Sequence, residues 1–133
     1  MVIAMDKLLS GRRVLVVEDE MMVLMMIEDM LADLGCESVT AAATTDQAIA
    51  LIDAQAFDAA MLDMNLNGTR NNSIADALAA RGVPFIFSTG YSSQRMREGY
   101  SDRPVLMKPF RFEELAAILT RLLTRQAALD RVS

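Results

Sequence analysis

The stretch Ala59–Gly68, AAMLDMNLNG, ends an apolar run on a single carboxylate, Asp63. A short apolar run closed by turn residues, here Asn65, Asn67 and Gly68, reads as a buried strand. Open α/β sheets bind ligands at the carboxyl ends of their strands, so Asp63 stands at the edge of a candidate site. Taken alone, an acid in this place suits a turn former or the N-cap of the next helix equally well. The rest of the chain has to decide.

Upstream, residues 12–17 (RRVLVV) form a second short apolar run, followed at once by Glu18, Asp19 and Glu20. From Glu20 to Leu34, Met22, Val23, Met26, Ile27, Met30, Leu31 and Leu34 recur at helical spacing, and Gly35 sits where a C-cap belongs. Residues 38–42 are a weak strand, and Thr44 or Thr45 caps a helix that reaches about Ala54. The third strand spans 57–62. The segment NLNGTRNNS is a loop by composition, and a short helix covers 74–80 before Gly82.

Residues 84–88 are the fourth strand, ending at Ser88, Thr89 and Gly90. From Tyr91 to Arg103 the chain is polar with Met96 as its apolar anchor, which predicts a loop with at most a turn or two. A short fifth strand, 105–107, leads to Lys108 and Pro109. A last helix starts at Phe112, with Leu115, Ile118, Leu119, Leu122 and Leu123 inward. Five strands alternating with helices predict a parallel sheet covered on both faces. The expected layout is an N-terminal extension at 1–11, one domain at 12–126 and a tail at 127–133.

The 133 residues, 53% of them hydrophobic, suffice for one domain with a proper core. The net charge of -5 and the lack of a basic stripe argue against a nucleic-acid partner. No apolar run approaches a membrane span and no signal peptide opens the chain, so the expected location is the cytoplasm. Cys36 has no second cysteine to pair with and reads as a small hydrophobe. The absence of histidine excludes Ser/His/Asp and Cys/His catalysis, nearly all zinc sites and any phosphohistidine on this chain.

If the first and third strands are neighbours, Glu18, Asp19 and Asp63 converge. Like charges about 4 Å apart repel by roughly 4 kcal/mol at an effective dielectric of about 20, and a divalent cation relieves this. Hard oxygen ligands with room for water suit Mg²⁺, with Asp19, Asp63 and the Asn65 backbone carbonyl as direct ligands and Glu18 reaching through water. The acids also fit a helix start favoured by the macrodipole, which accounts for Glu20 but not for two acids directly after a buried strand. The Thr89 hydroxyl and the Lys108 ammonium suit a phosphate.

Acids after strand one, an acid after three, a hydroxyl after four and a lysine after five make a specific pattern. With the motifs VVEDE, LDMNLNG, FSTGY and LMKPF in this order, the sequence resembles the receiver domains of bacterial two-component response regulators from Arg12 to about Arg125. The resemblance implies a flavodoxin-like, doubly wound sheet of order 2-1-3-4-5. It implies Asp63 as phosphoacceptor with Mg²⁺ as cofactor, Thr89 and Lys108 on the phosphoryl oxygens, and a cis bond between Lys108 and Pro109. The donor would be a sensor histidine kinase or a histidine phosphotransfer protein. The protein would catalyse only its own phosphorylation and dephosphorylation.

Many receivers carry a moving aromatic three residues before the lysine; that position is Val105 here. The FSTGY run instead resembles the receiver branch named for its FATGUY motif, with Ser88 in place of its alanine. That branch implies a short or missing fourth helix and kinases of the HWE or HisKA2 type. Thr89, Gly90 and Tyr91 become the candidate switch, with plain packing as the other reading of Tyr91. On the first helix, Met21, Leu24 and Met25 remain once the core stripe is assigned, and they make a candidate partner surface; a wider core stripe or self-association fits them equally. A monomer or weak dimer is expected.

With no output module after the last helix, a stand-alone receiver is expected to signal through a downstream protein target or to drain phosphate from a kinase. Three other functions share parts of this pattern. A phosphatase of the haloacid dehalogenase type needs a second acid two residues after the nucleophile, where Asn65 stands. A flavin mononucleotide carrier would be repelled by the acids after strand one. A receiver-like binding module that is never phosphorylated is the third.

Overall fold

The computed structural model describes residues 8–66, 69–70, 72–90 and 103–132. Strands β1 (Arg13–Val17), β2 (Ser38–Ala42), β3 (Ala59–Asp63), β4 (Phe85–Thr89) and β5 (Val105–Met107) alternate with helices α1 (Met21–Asp33), α2 (Thr45–Ala54), α3 (Asn72–Ala80) and α4 (Phe112–Val132). The five strands pair in parallel in the order β2-β1-β3-β4-β5. This is the doubly wound, flavodoxin-like sheet of order 2-1-3-4-5. β3 lies at its centre and is buried along its whole length.

Alternation along each strand sends side chains to opposite faces, which divides the core in two. On one face Val14, Val16, Met61, Ile86 and Leu106 pack with Leu24, Ile27 and Leu31 of α1 and Leu115, Ile118 and Leu119 of α4. On the other, Leu15, Val17, Leu62, Phe85 and Phe87 pack with Ala48 and Ile52 of α2 and Ile74 and Leu78 of α3. Each fully buried large apolar side chain contributes about 1.5–3 kcal/mol.

The helix ends follow local chemistry. Thr44 caps α2, its hydroxyl accepting the Gln47 N–H at 3.1 Å. After α1, Gly35 adopts φ 91°; its N–H donates to the Ala32 carbonyl and that of Cys36 to the Leu31 carbonyl, a Schellman closure. Gly82, at φ 69°, closes α3 in the same way, with Val83 N–H on the Leu78 carbonyl.

Four sequence expectations meet a different structure. Leu24 is buried at 8% exposure, so it belongs to the core and not to the partner surface, whereas Met22, read as core, is 81% exposed. The run MMVLMMI is apolar all round, so its composition leaves the helix phase open, and Met22 lies about 200° around the axis from Leu24. Leu9, placed in the extension, is fully buried and donates its N–H to the Leu34 carbonyl. The loop after β3 contains a short antiparallel ribbon, Asn65–Leu66 with Thr69–Arg70. The last helix continues to Val132, through the residues read as a tail. The short or missing fourth helix, at 91–102, lies outside the described residues.

No helix among the described residues is long and apolar enough to cross a membrane.

Candidate functional site

Four strands end together at one edge of the sheet. β1 ends at Val17, paired with Leu62, so Glu18 emerges one residue beyond this pair, beside Asp63. The Glu18 N–H donates to the Ala42 carbonyl at 2.9 Å, which fixes the backbone where the acids begin. Asp63 is in register with Ser88 of β4, and the next N–H, of Met64, donates to the Ser88 carbonyl at 2.9 Å. The Lys108 N–H donates to the Thr89 carbonyl at 2.7 Å, so the lysine leaves β5 from a fixed point. The peptide bond from Lys108 to Pro109 is cis.

One carboxylate oxygen from each of Glu18, Asp19 and Asp63 lies within 4.8 Å of the others. Glu18, Asp63 and Thr89 are buried, and Asp19 is half-buried. Lys108 Nζ stands 2.8 Å from Glu18 Oε1 and 3.5 Å from Asp63 Oδ2. Glu18 Oε2 accepts the Glu20 N–H at 3.2 Å. The structure therefore brings Glu18, Asp19, Asp63 and Lys108 together, with Thr89 at the end of the neighbouring strand.

Burial raises the Glu18 carboxyl above its ordinary 4.5; the Asp63 charge adds to this, and the Lys108 contact offsets part of it. For Lys108, burial alone would lower the ammonium, but the Glu18 contact and the Asp63 charge outweigh it and hold the group above 10.5. Three carboxylates face one ammonium, so the cluster carries excess negative charge in a poorly solvated place. Its donors are all hard oxygens, the set that suits Mg²⁺. Asp19 and Asp63 sit where they would hold such an ion, and Asn65 opens the ribbon two residues after Asp63.

The other candidate residues are more scattered. Gly90 is exposed, and a Cβ there would meet nothing within 4 Å. Tyr91 lies outside the described residues. Val105 is half-buried, in register with Phe87 and packed on the α2/α3 side of the core. Phe87 stacks edge-on against Phe85, with centroids 5.5 Å apart, so the aromatics of this region stand on β4. Met21 and Met25 are exposed on α1, as is Met22, which the sequence pattern did not separate from the core. The direct Glu18 to Lys108 contact was also missed; the only signal for it is the extra methylene of glutamate.

The comparisons agree with this geometry. The model of the response regulator receiver domain matches residues 14–120. Among solved structures, the chain is similar to SdrG from Sphingomonas melonis Fr1, with 42% identity, 84% of this chain and 96% of that one covered, and a TM-score of 0.76. A BeF3-activated conformation of SdrG, from Pseudomonas melonis Fr1, matches at 42% identity over 84% and 95% of the two chains, with a TM-score of 0.73. The receiver domain of the sensor histidine kinase PA1611 from Pseudomonas aeruginosa PAO1, described with a magnesium ion coordinated in its active site cleft, is 33% identical, covering 86% of this chain and 99% of that one, with a TM-score of 0.75. Among curated proteins none matches. The site at the sheet edge, the strand order and the match across residues 14–120 place the chain in the response regulator receiver domain family.

Proposed function

We propose that this receiver accepts a phosphoryl group on Asp63 from a phosphohistidine of a sensor histidine kinase or phosphotransfer protein. The observation that supports this most is the convergence of Glu18, Asp19 and Asp63 within 4.8 Å, with Lys108 reaching into the cluster. In phosphoryl transfer the protein mainly positions the groups and neutralises charge. Asp63 is held at the end of the central strand as the attacking carboxylate. Asp19, Asp63 and the Asn65 carbonyl would hold Mg²⁺, which when bound neutralises charge developing on the phosphoryl oxygens. Lys108 supplies a second positive charge, and the Thr89 hydroxyl donates to a phosphoryl oxygen.

The acyl phosphate brings about -1.5 to -2 charges into the cluster, and the contacts it makes with Thr89 and Lys108 bias the loops after β4 and β5. Thr89, Gly90 and Tyr91 are then the first residues to report the phosphorylated state, to a downstream protein target. The exposed Met21, Met22 and Met25 on α1 supply an adaptable apolar surface for the donor, here proposed to be a kinase of the HWE or HisKA2 type.

Incubation with acetyl phosphate, with and without Mg²⁺, tests the reading by intact mass. A Mg²⁺-dependent gain of one phosphoryl group, lost in Asp63→Asn, is expected. Steady hydrolysis of many phosphate esters would indicate a phosphatase instead, and no gain with either donor or metal would indicate a binding module.

A further inference from the structure

We propose that Met21, Met22 and Met25 form an oxidation site at the start of α1, and that its modification by a hydroperoxide shuts off phosphotransfer from the donor protein. The site stands on exposure and thioether chemistry; its consequence rests on the donor docking proposed for α1. The large apolar side chains exposed among the described residues are Met21 at 66%, Met22 at 81%, Met25 at 54% and Met107 at 54%, all of them methionine. The leucine, isoleucine and phenylalanine side chains described are buried or half-buried. This surface is therefore built from the one aliphatic side chain that an oxidant converts into a polar one. Cys36 does not compete for the oxidant, because it is buried and its thiol is pushed up by that burial.

Met25 lies about 40° and Met22 about 100° around the helix axis from Met21, so the three share one face within little more than a turn. Leu24, Ile27 and Leu31 hold α1 to the core from the other side, so oxygen can be added without opening the fold. Met61 and Met64, at 1% and 2% exposure, are shielded. α1 carries Glu28, Asp29 and Asp33 and no basic residue, and it follows Glu18, Asp19 and Glu20. That field repels anionic oxidants and leaves neutral hydroperoxides as the class that reaches the sulfurs. With hydrogen peroxide, a sulfur lone pair attacks one oxygen; the S–O bond forms as the O–O bond breaks. The departing hydroxide takes the proton of the transferred hydroxyl and leaves as water. The thioether gives up two electrons to the peroxide and becomes a polar sulfoxide. A partner that buried this face would then have to desolvate the sulfoxide oxygens. None of the three methionines belongs to the cluster of Glu18, Asp19, Asp63 and Lys108, so phosphorylation by a small donor is spared.

The test treats the parent and a Met21→Leu, Met22→Leu, Met25→Leu variant with hydrogen peroxide and maps each methionine by peptide mass. Met21, Met22 and Met25 should each gain one oxygen severalfold faster than Met61 and Met64. The donor is the purified, ATP-labelled histidine kinase that labels the untreated parent fastest. Transfer to the oxidised parent should be severalfold slower, and methionine sulfoxide reductases for both epimers should restore it. The peroxide-treated leucine variant, which keeps an apolar face, should accept phosphate as fast as it does untreated. Acetyl phosphate labelling of the parent should be the same before and after oxidation. Oxidation of Met61 and Met64 as fast as the α1 sites, undiminished transfer to the oxidised parent, a leucine variant slowed as much as the parent, a parent that no kinase labels, or labelling by acetyl phosphate that oxidation abolishes overturns the proposal. Failure of the phosphoacceptor reading shows separately, as absence of the acetyl phosphate mass gain in protein that was never oxidised.

Discussion

Replacing Lys108 by methionine keeps most of its apolar stem and removes the cation that stands against both Glu18 and Asp63. The ammonium attracts Glu18 Oε1 at 2.8 Å by about 6 kcal/mol at an effective dielectric of about 20, a gain that the desolvation of both groups partly offsets. Breaking a buried pair by removing one partner costs about 3–5 kcal/mol, which agrees. Lys108→Met should therefore unfold about 3 kcal/mol more easily in urea with a chelator present. Millimolar Mg²⁺ should recover most of this loss, since it neutralises the same charge.

The deficit also has a direction in pH. Burial already raises the Glu18 carboxyl above its ordinary 4.5, and the variant loses the lysine that opposes this. A raised folded value gives stabilisation that is complete below the unfolded value and lost as pH rises through the folded one. The deficit should be small below about pH 4.5 and grow as the pH rises above it. An equal loss with and without Mg²⁺, or one that shrinks as pH rises, refutes the electrostatic account of the site.

Leu9→Ala should cost about 2–5 kcal/mol by chemical denaturation, because Leu9 is fully buried against the α1/α4 core; a loss under about 1 kcal/mol would mean that the segment is dispensable. The Cys36 thiol, pushed up by burial, should react slowly with alkylating reagents near about pH 8 until the protein is unfolded, and fast labelling of native protein would contradict its packing. Met22→Glu with Met25→Glu should slow phosphotransfer from a partner kinase while leaving Mg²⁺ affinity and acetyl phosphate labelling intact; unchanged transfer kinetics would remove α1 from the docking surface.

The sheet was legible because its strands are short, apolar and punctuated by charge or glycine, and because chemistry clusters where they end. Asp63 and Lys108 could be placed for that reason alone. The phase of α1 was not legible, since seven consecutive apolar residues from Met21 to Ile27 fit the core in more than one rotation, and tertiary packing selected Leu24, Ile27 and Leu31. Leu9 escaped notice because an isolated turn carries no periodicity. The Glu18 to Lys108 pair spans four strands, and such a contact between side chains far apart in sequence leaves no local pattern. The ribbon after β3 was hidden by a composition that reads equally as loop.

The most direct test of Asp63 as phosphoacceptor is to phosphorylate the protein with acetyl phosphate and Mg²⁺, reduce the acyl phosphate with borohydride, and map the modified residue by peptide mass spectrometry. Asp63 should be recovered as homoserine, and only when donor and metal are both present. Modification at another carboxylate, or none under conditions that preserve the fold, would contradict the assignment.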